Sequence, residues 1–164
     1  MLLSIVTFAL SLFVAMVLHE LGHWFAARIC NVPVTQVGIG WGPKIAALPV
    51  LGVDWQLRLL PLGAFTRMDM VVLQRLSLSR QLFVLGAGVG INLFLGLLAW
   101  GTPFGFMNLA LAVGNLMPLY QLDGWKGGMV ICRRLLGGKN KEAEWAFTIC
   151  GAVVVVLVIT AIFV

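Results

Sequence analysis

Two histidines and a glutamate lie close together near the start of this 164-residue chain, in the stretch His19-Glu20-Leu21-Gly22-His23. Residues i and i+4 of a helix share a face, so the two histidines point the same way if the stretch is helical. Two imidazoles at this spacing can bind one zinc ion, and the glutamate beside them can take a proton from a bound water. The stretch therefore predicts a hydrolytic metal site that still needs a third ligand.

The surrounding sequence is typical of an integral membrane protein. The chain is 61% hydrophobic and only 10% charged, whereas soluble globular proteins average about 25% charged residues. Its net charge of +5 comes from basic residues scattered between apolar runs, which does not favour nucleic-acid binding. The three cysteines form no CxxC pair, which argues against a disulfide framework or a cysteine zinc site. We expect a single α-helical membrane domain over residues 1–164.

Apolar runs in this domain predict about four transmembrane helices. The predicted spans cover about residues 2–27, 81–100, 106–136 and 145–164. The third contains Pro118 and several polar residues, so we expect it to be broken into two half-helices. Residues 34–69 alternate apolar and polar residues between glycines and prolines, which predicts a small β-hairpin or three-stranded sheet. The first span has no basic leading segment or clear cleavage site, so we expect it to be retained rather than removed as a signal peptide.

The basic residues suggest how the domain is oriented. All 11 lysines and arginines fall between Arg28 and Arg80 or between Lys126 and Lys141, and the positive-inside rule makes both segments cytoplasmic. At 1.5 Å per residue, His19 and His23 lie roughly 7–14 Å inside the cytoplasmic end of their helix, and Asp123 lies roughly 15 Å from its own. An unpaired carboxylate inside a membrane is costly. Asp123 is therefore the candidate third ligand, in a site that faces the cytoplasmic side.

Two histidines and one aspartate would leave a fourth zinc position for water, which is the geometry of a catalytic site. Zinc lowers the pKa of such a water toward about 7. Glu20 can accept the proton and pass it to the leaving amine after attack on a peptide carbonyl. Asn115, at the break in the third span, could donate hydrogen bonds to the substrate backbone or to the oxyanion that forms during attack. These residues together predict a zinc peptidase that works inside the membrane.

Four motifs in this order resemble the site-2 protease family, the intramembrane zinc metalloproteases of peptidase family M50. His19–His23 matches its HExxH motif, and Asn115–Gly124 matches NxxPxxxxDG. Leu60–Met68 is similar to the PLGGYVKM loop of the membrane-embedded hairpin in that family, and Gly88–Asn92 fits its GxxxN pattern. The resemblance covers about residues 15–125.

This resemblance implies that His19, His23 and Asp123 bind one zinc ion and that Glu20 is the catalytic base. It also implies that the β-element pairs with an unwound segment of a single-span membrane protein, because a peptide bond must leave its helix before attack. The residues that we predict to contact substrate are Gly63, Asn92 and Asn115.

The chain departs from the family pattern at Tyr120, which replaces a proline, and at Trp125, which replaces a glycine. We also expect it to lack a PDZ domain. We therefore expect a minimal member in the cell membrane, which selects substrates through its β-element, its tryptophan-rich loops or a separate regulatory partner.

Several candidate residues also have a structural interpretation. Both histidines could be packing residues, and Asp123 could pair with Lys126, three residues later on the same helix face. Asn115 could cap the broken helix, and Asn92 could bond to a neighbouring helix.

Two other functions are compatible with this sequence. One is a non-catalytic scaffold that binds membrane helices or metal, which would not need Glu20. The other is a membrane zinc transporter, which would need a further cluster of histidines or acidic residues along the spans.

Overall fold

A computed structural model of the chain describes residues 2–138 and 140–163. Residues 1 and 164, the ends of the predicted domain, lie outside the described residues, and residue 164 also ends the predicted fourth span. In chain order the elements are α1 (Leu2–Ile29), β1 (Val34–Val50), β2 (Val53–Met68), α2 (Met70–Arg75), α3 (Leu78–Leu98), α4 (Pro103–Leu116), α5 (Asp123–Leu135) and α6 (Lys141–Phe163).

Two of the described helices are long and apolar enough to cross a membrane, over Ser4–Ile29 and Leu78–Leu98. A further apolar helix, Pro103–Leu116, is shorter than a span. The described structure thus supports two spans by length and composition, compared with the four predicted from hydropathy.

The end of α1 follows from its local sequence. Asn31 has a φ of 56°, and asparagine is one of the few residues that tolerate this left-handed conformation at a helix end. The N–H of Val32 then donates to the carbonyl of Ala27 at 2.8 Å, and Pro33 cannot extend the helix. The chain turns here into the β-element.

The β-element has two strands rather than three, and β1 pairs antiparallel with β2. Leu51 and Gly52 connect them, both with positive φ, as a tight two-residue hairpin turn requires. The sheet is folded rather than flat, because Val37 pairs with both Trp55 and Thr66. The end of β2 thereby returns to the beginning of β1, beside α1.

The predicted third span, residues 106–136, is two separate helices in the structure. α4 ends at Leu116, and α5 begins at Asp123. The chain between them contains Pro118, and Gln121 has a φ of 77°, so the helix cannot continue through it. Gly124 packs against the last carbonyl of α4, and a Cβ on this residue would overlap the Leu116 oxygen. The break therefore has a fixed geometry, with Asp123 at its edge.

α3 is the central helix, since it contacts α1, α4 and α5. The apolar core lies where the ends of α1 and the hairpin meet α2, α3 and α5. Its buried members are Ala26, Ala27, Cys30, Val32, Val34, Val37, Val53, Leu73, Val84, Leu85 and Val130. This core fixes the side chains of α1 that point toward α3 and α5.

Candidate metal site

α1 and α5 bring three potential metal ligands together. His19 and His23 lie one turn apart on α1, and Asp123 is the first residue of α5. Nε2 of His19 is 2.9 Å from Oδ2 of Asp123, and Nε2 of His23 is 3.0 Å from the same oxygen. The two Nε2 atoms are 3.2 Å apart. All three side chains are buried.

The protons of both imidazoles lie on the side away from this cluster. Nδ1 of His23 is 2.8 Å from the carbonyl oxygen of Val84, which can only accept, so this nitrogen carries the hydrogen. In its neutral form, His23 then presents an unprotonated Nε2 toward Asp123.

A relay of two asparagines assigns the tautomer of His19 in the same way. Nδ2 of Asn108 donates to the carbonyl of Phe104 at 2.9 Å, so Oδ1 of Asn108 faces Nδ2 of Asn92 at 3.2 Å. Oδ1 of Asn92 is left to accept from Nδ1 of His19 at 2.8 Å. Asn92 and Asn108 are both fully buried. The neutral imidazole of His19 therefore also directs an unprotonated Nε2 into the cluster.

In the neutral histidines, both Nε2 atoms thus face Oδ2 of Asp123 with their lone pairs, and none of the three atoms carries a hydrogen to donate. A cation shared by the three atoms would offset the repulsion between these lone pairs. Tetrahedral zinc with ligands at about 2.0–2.1 Å holds its donor atoms about 3.3 Å apart, close to the 2.9–3.2 Å separations found here. Two imidazoles and one carboxylate also form a catalytic type of zinc donor set. The three residues fit a zinc ion.

The other oxygen of Asp123 is occupied as well. Nζ of Lys126 lies 3.0 Å from Oδ1 of Asp123, while Oδ2 faces the histidines. The lysine side chain is 38% exposed, and the aspartate side chain is 7% exposed. The lysine therefore orients the carboxylate from the open side, and the pairing that we considered as an alternative coexists with the metal ligand geometry.

Gly88 makes room for both imidazoles on α3. A Cβ at this position would lie 2.5 Å from Nε2 of His23 and 2.6 Å from Nε2 of His19. Val84, Gly88 and Asn92 are spaced four residues apart and so share one face of α3. Val84 and Asn92 each accept a hydrogen bond from one histidine. Gly88 lies between them on this face and leaves space for both imidazoles.

Glu20 lies beside the cluster, in a cavity of about 380 Å³ that His23 and Asp123 also line. The other walls are the end of β2, residues 65–68, together with Met70, Leu85, Trp125 and Lys126. β2 is attached to α1 at this point, since the hydroxyl of Thr66 donates to the carbonyl of Glu20 at 2.9 Å. The Glu20 carboxylate, two of the three metal-ligand candidates (His23 and Asp123) and a strand end thus share one cavity.

The three residues predicted to contact substrate, Gly63, Asn92 and Asn115, lie outside the lining of the cavity that contains Glu20. Asn92 is fully buried behind His19, and its Oδ1 accepts a hydrogen bond from Nδ1 of that histidine. Nδ2 of Asn115 donates to the carbonyl of Leu111, one turn earlier in α4, at 3.1 Å. Gly63 has a φ of 80° and packs against Trp41 of β1. The described contacts do not join any of these three directly to Glu20 or Asp123.

The sequence motifs gave Asn108 no role and included Gly88 only as the first residue of a GxxxN pattern. Asn108 and Asn115 are the two amides in an otherwise apolar α4, and such a residue in a membrane protein usually needs a hydrogen-bond partner. That signal could have identified Asn108. No sequence pattern shows that a Cβ at position 88 would overlap two imidazoles at once, because this depends on how α1 and α3 pack.

Comparison with known proteins identifies the family. Residues 7–104, more than half of the chain, match the model of peptidase family M50. The chain belongs to peptidase family M50. The resemblance found in the sequence motifs is confirmed, and the matched residues include His19, Glu20, His23 and Asn92. This family is membrane-embedded, which agrees with the two apolar helices of the structure.

Individual M50 relatives match shorter parts of the chain. A Clostridium perfringens protein named "Putative zinc metalloprotease" is 33% identical over 118 residues, which is 66% of this chain and 33% of that protein. The metalloprotease MmpA of Caulobacter vibrioides is 39% identical over 67 residues, 40% of this chain and 17% of that protein. A Streptococcus pneumoniae protein, again named "Putative zinc metalloprotease", is 40% identical over 67 residues, 40% of this chain and 16% of that protein. The matches thus span a third or less of each relative.

Proposed function

We propose that this chain is a zinc-dependent endopeptidase that cleaves transmembrane segments of single-span membrane proteins. The observation that carries the proposal is the convergence of His19, His23 and Asp123 on one point beside Glu20. Membership of peptidase family M50 and the zinc metalloprotease names of its relatives support it.

His19, His23 and Asp123 would hold the zinc ion through Nε2, Nε2 and Oδ2. Bound there, zinc would supply a Lewis acid that activates water and polarises a peptide carbonyl. The asparagine relay and the carbonyl of Val84 keep both histidines in the required tautomer, a role that outer partners of metal-binding histidines commonly have.

Glu20 is the proposed base. It accepts a proton from the attacking water as the new carbon–oxygen bond forms, and it returns the proton to the leaving amine as the carbon–nitrogen bond breaks. Its carboxylate is in the cavity with His23 and Asp123, where such a proton transfer is needed. A metal-binding scaffold would have no use for a carboxylate at this position.

The end of β2 is the proposed binding site for an unwound substrate. Phe65, Thr66 and Arg67 pair with β1 along one edge and line the cavity of Glu20. A strand has two edges, so the second edge can align an extended peptide by main-chain hydrogen bonds. Such pairing holds the substrate out of its helical conformation, which exposes the bond to be cleaved.

The proposed topology has four spans in the cell membrane, with α4 and α5 together crossing once and α6 forming the last. The basic segments from Arg28 to Arg80 and from Lys126 to Lys141 would then face the cytoplasm. Exposed apolar side chains on the hairpin, including Trp41, Leu48 and Leu51, would lie in the bilayer. The cavity would open toward the cytoplasmic side.

The test is cleavage of a model single-span substrate by the purified chain in liposomes. We expect Glu20→Gln to abolish cleavage while the zinc content, measured on the same preparation, stays at the wild-type level. Glu142→Gln makes the same chemical change at an exposed residue of α6 and should cleave at the wild-type rate.

Full cleavage by Glu20→Gln would exclude it as the base. A wild-type protein that binds zinc and the substrate without cleaving it would instead indicate the scaffold function.

A further inference from the structure

A second cavity, away from the metal site, is lined by three arginines. It has a volume of about 440 Å³ and lies between the α2–α3 connection and the end of α5. Arg75 contributes from α2, and Arg133 and Arg134 contribute from the last turn of α5. The remaining walls are largely polar, with Gln74, Ser77 and Gln81 on one side and Gly137 and Gly138 on the other.

The positive charge of this cavity is only partly neutralised. Arg133 forms a two-point ion pair with Glu144 of α6, at 2.7 and 2.9 Å. Among the described residues, neither Arg75 nor Arg134 is within ion-pair distance of a carboxylate. The first turn of α3, which begins at this cavity, contains no acidic residue either. An anion with several acceptor oxygens would match these guanidinium groups.

The surroundings favour a lipid over a soluble anion. The cavity lies directly before Leu78, the first residue of a helix that is long and apolar enough to span a membrane, and this is the level of lipid headgroups. The arginines are flanked by Leu135, which is 81% exposed, and by Leu136, which is 51% exposed. These exposed leucines would not contribute to the binding of a free phosphate, whereas the acyl chains of a lipid can lie along them.

We propose that this cavity binds the phosphate headgroup of an anionic phospholipid. Basic pockets between helices at the inner side of a membrane are known to take such headgroups. The bound lipid would connect the beginning of α3 to the end of α5. α3 supports both histidines and α5 carries Asp123, so the lipid would stabilise the packing of the two helices that flank the metal site. The proposal does not depend on peptidase activity.

The test is native mass spectrometry of the full chain in detergent, titrated with phosphatidylglycerol or phosphatidylcholine. We expect phosphatidylglycerol to bind about ten- to thirty-fold more tightly, from two arginines acting on one headgroup. The Arg75→Gln/Arg134→Gln double variant should lose this preference. The Arg75→Lys/Arg134→Lys variant keeps the charge and should retain most of it.

A matched control removes the same charge elsewhere. Arg28→Gln/Lys44→Gln changes two exposed basic residues outside the cavity and should keep the lipid preference within about two-fold. Helix content by circular dichroism checks that each variant is folded, and if the double variant misfolds, Arg134→Gln alone replaces it.

Three results would overturn the proposal. The control could lose the preference as much as the cavity variant does, which would indicate general surface charge. The wild type could show no preference between the two lipids. Finally, millimolar inorganic phosphate could displace phosphatidylglycerol, which would make the cavity a site for free anions.

Discussion

At the scale of single residues, the metal site depends on groups that fix the hydrogen positions of two imidazoles. The carbonyl of Val84 and the amide of Asn92 each face an Nδ1 atom at 2.8 Å. His19, His23 and Asp123 could be chosen from the sequence because helical spacing and membrane depth follow from residue numbers. The sequence marks Asn108 only as a polar residue in an apolar helix; that its partner is Asn92 follows only from how α3 and α4 pack together.

Gly88→Ala should remove zinc from the protein. The new methyl group would lie 2.5–2.6 Å from both Nε2 atoms and would displace the two imidazoles from Asp123. Zinc per chain, measured by atomic absorption after purification, should fall well below the wild-type value.

Gly86→Ala is the matched control for this variant. It is the same substitution half a turn earlier in α3, and its Cβ would meet nothing within 4 Å. Its zinc content should remain at the wild-type level. Equal zinc in both alanine variants would contradict the placement of the histidines against Gly88.

At the scale of elements, two features assemble the site. The break between α4 and α5 places Asp123 at the beginning of α5, and β2 returns to α1 so that residues 65–68 lie in the cavity of Glu20. Pro118 and the polar residues around it predicted the break. The number of strands was not determined by the alternating pattern, because a folded two-stranded hairpin and a three-stranded sheet alternate in the same way.

The two departures from the family pattern contact each other, with the rings of Tyr120 and Trp125 edge-to-face at 5.1 Å. Trp125 also lies 6.4 Å from Phe147 of α6, so the substitutions pack the break against α6.

Gly124→Ala should destabilise this break. Its methyl group would overlap the Leu116 carbonyl at the end of α4, and forcing extra volume into a packed site typically costs about 1–3 kcal/mol. The midpoint of thermal unfolding should fall, and zinc affinity should fall with it, because Asp123 is the adjacent residue.

The comparison variant is Gly127→Ala, one turn later in α5. Its Cβ would make an ordinary contact of 3.7 Å with Leu82, so its unfolding midpoint should stay near that of the wild type. A Gly124→Ala protein as stable as Gly127→Ala would show that the two half-helices are not in close contact.

At the scale of the whole molecule, the charges and the apolar surface define an orientation. The basic residues predicted which loops face the cytoplasm, but the number of crossings does not follow from hydropathy alone. α4 has 14 residues and α5 has 13, and a span needs about 20. Neither crosses the membrane by itself, so the proposed third span needs both.

This topology predicts opposite labelling of two loops in intact cells. In a variant with Cys30, Cys132 and Cys150 replaced by alanine, Thr102→Cys should react with a membrane-impermeant maleimide from outside. Asn140→Cys should react only after the cells are opened, because the basic segment around it faces the cytoplasm. The same labelling at both positions from outside would contradict the four-span arrangement.

The central claim is that one zinc ion is held by His19, His23 and Asp123. Zinc-edge X-ray absorption of the purified chain tests it most directly, since the spectrum reports the number and type of donor atoms. The account predicts two imidazole rings and further oxygen donors at about 2.0–2.1 Å, with zinc lost in Asp123→Ala and retained in Asp54→Ala. Sulfur donors in the spectrum, or full zinc occupancy in Asp123→Ala, would contradict it.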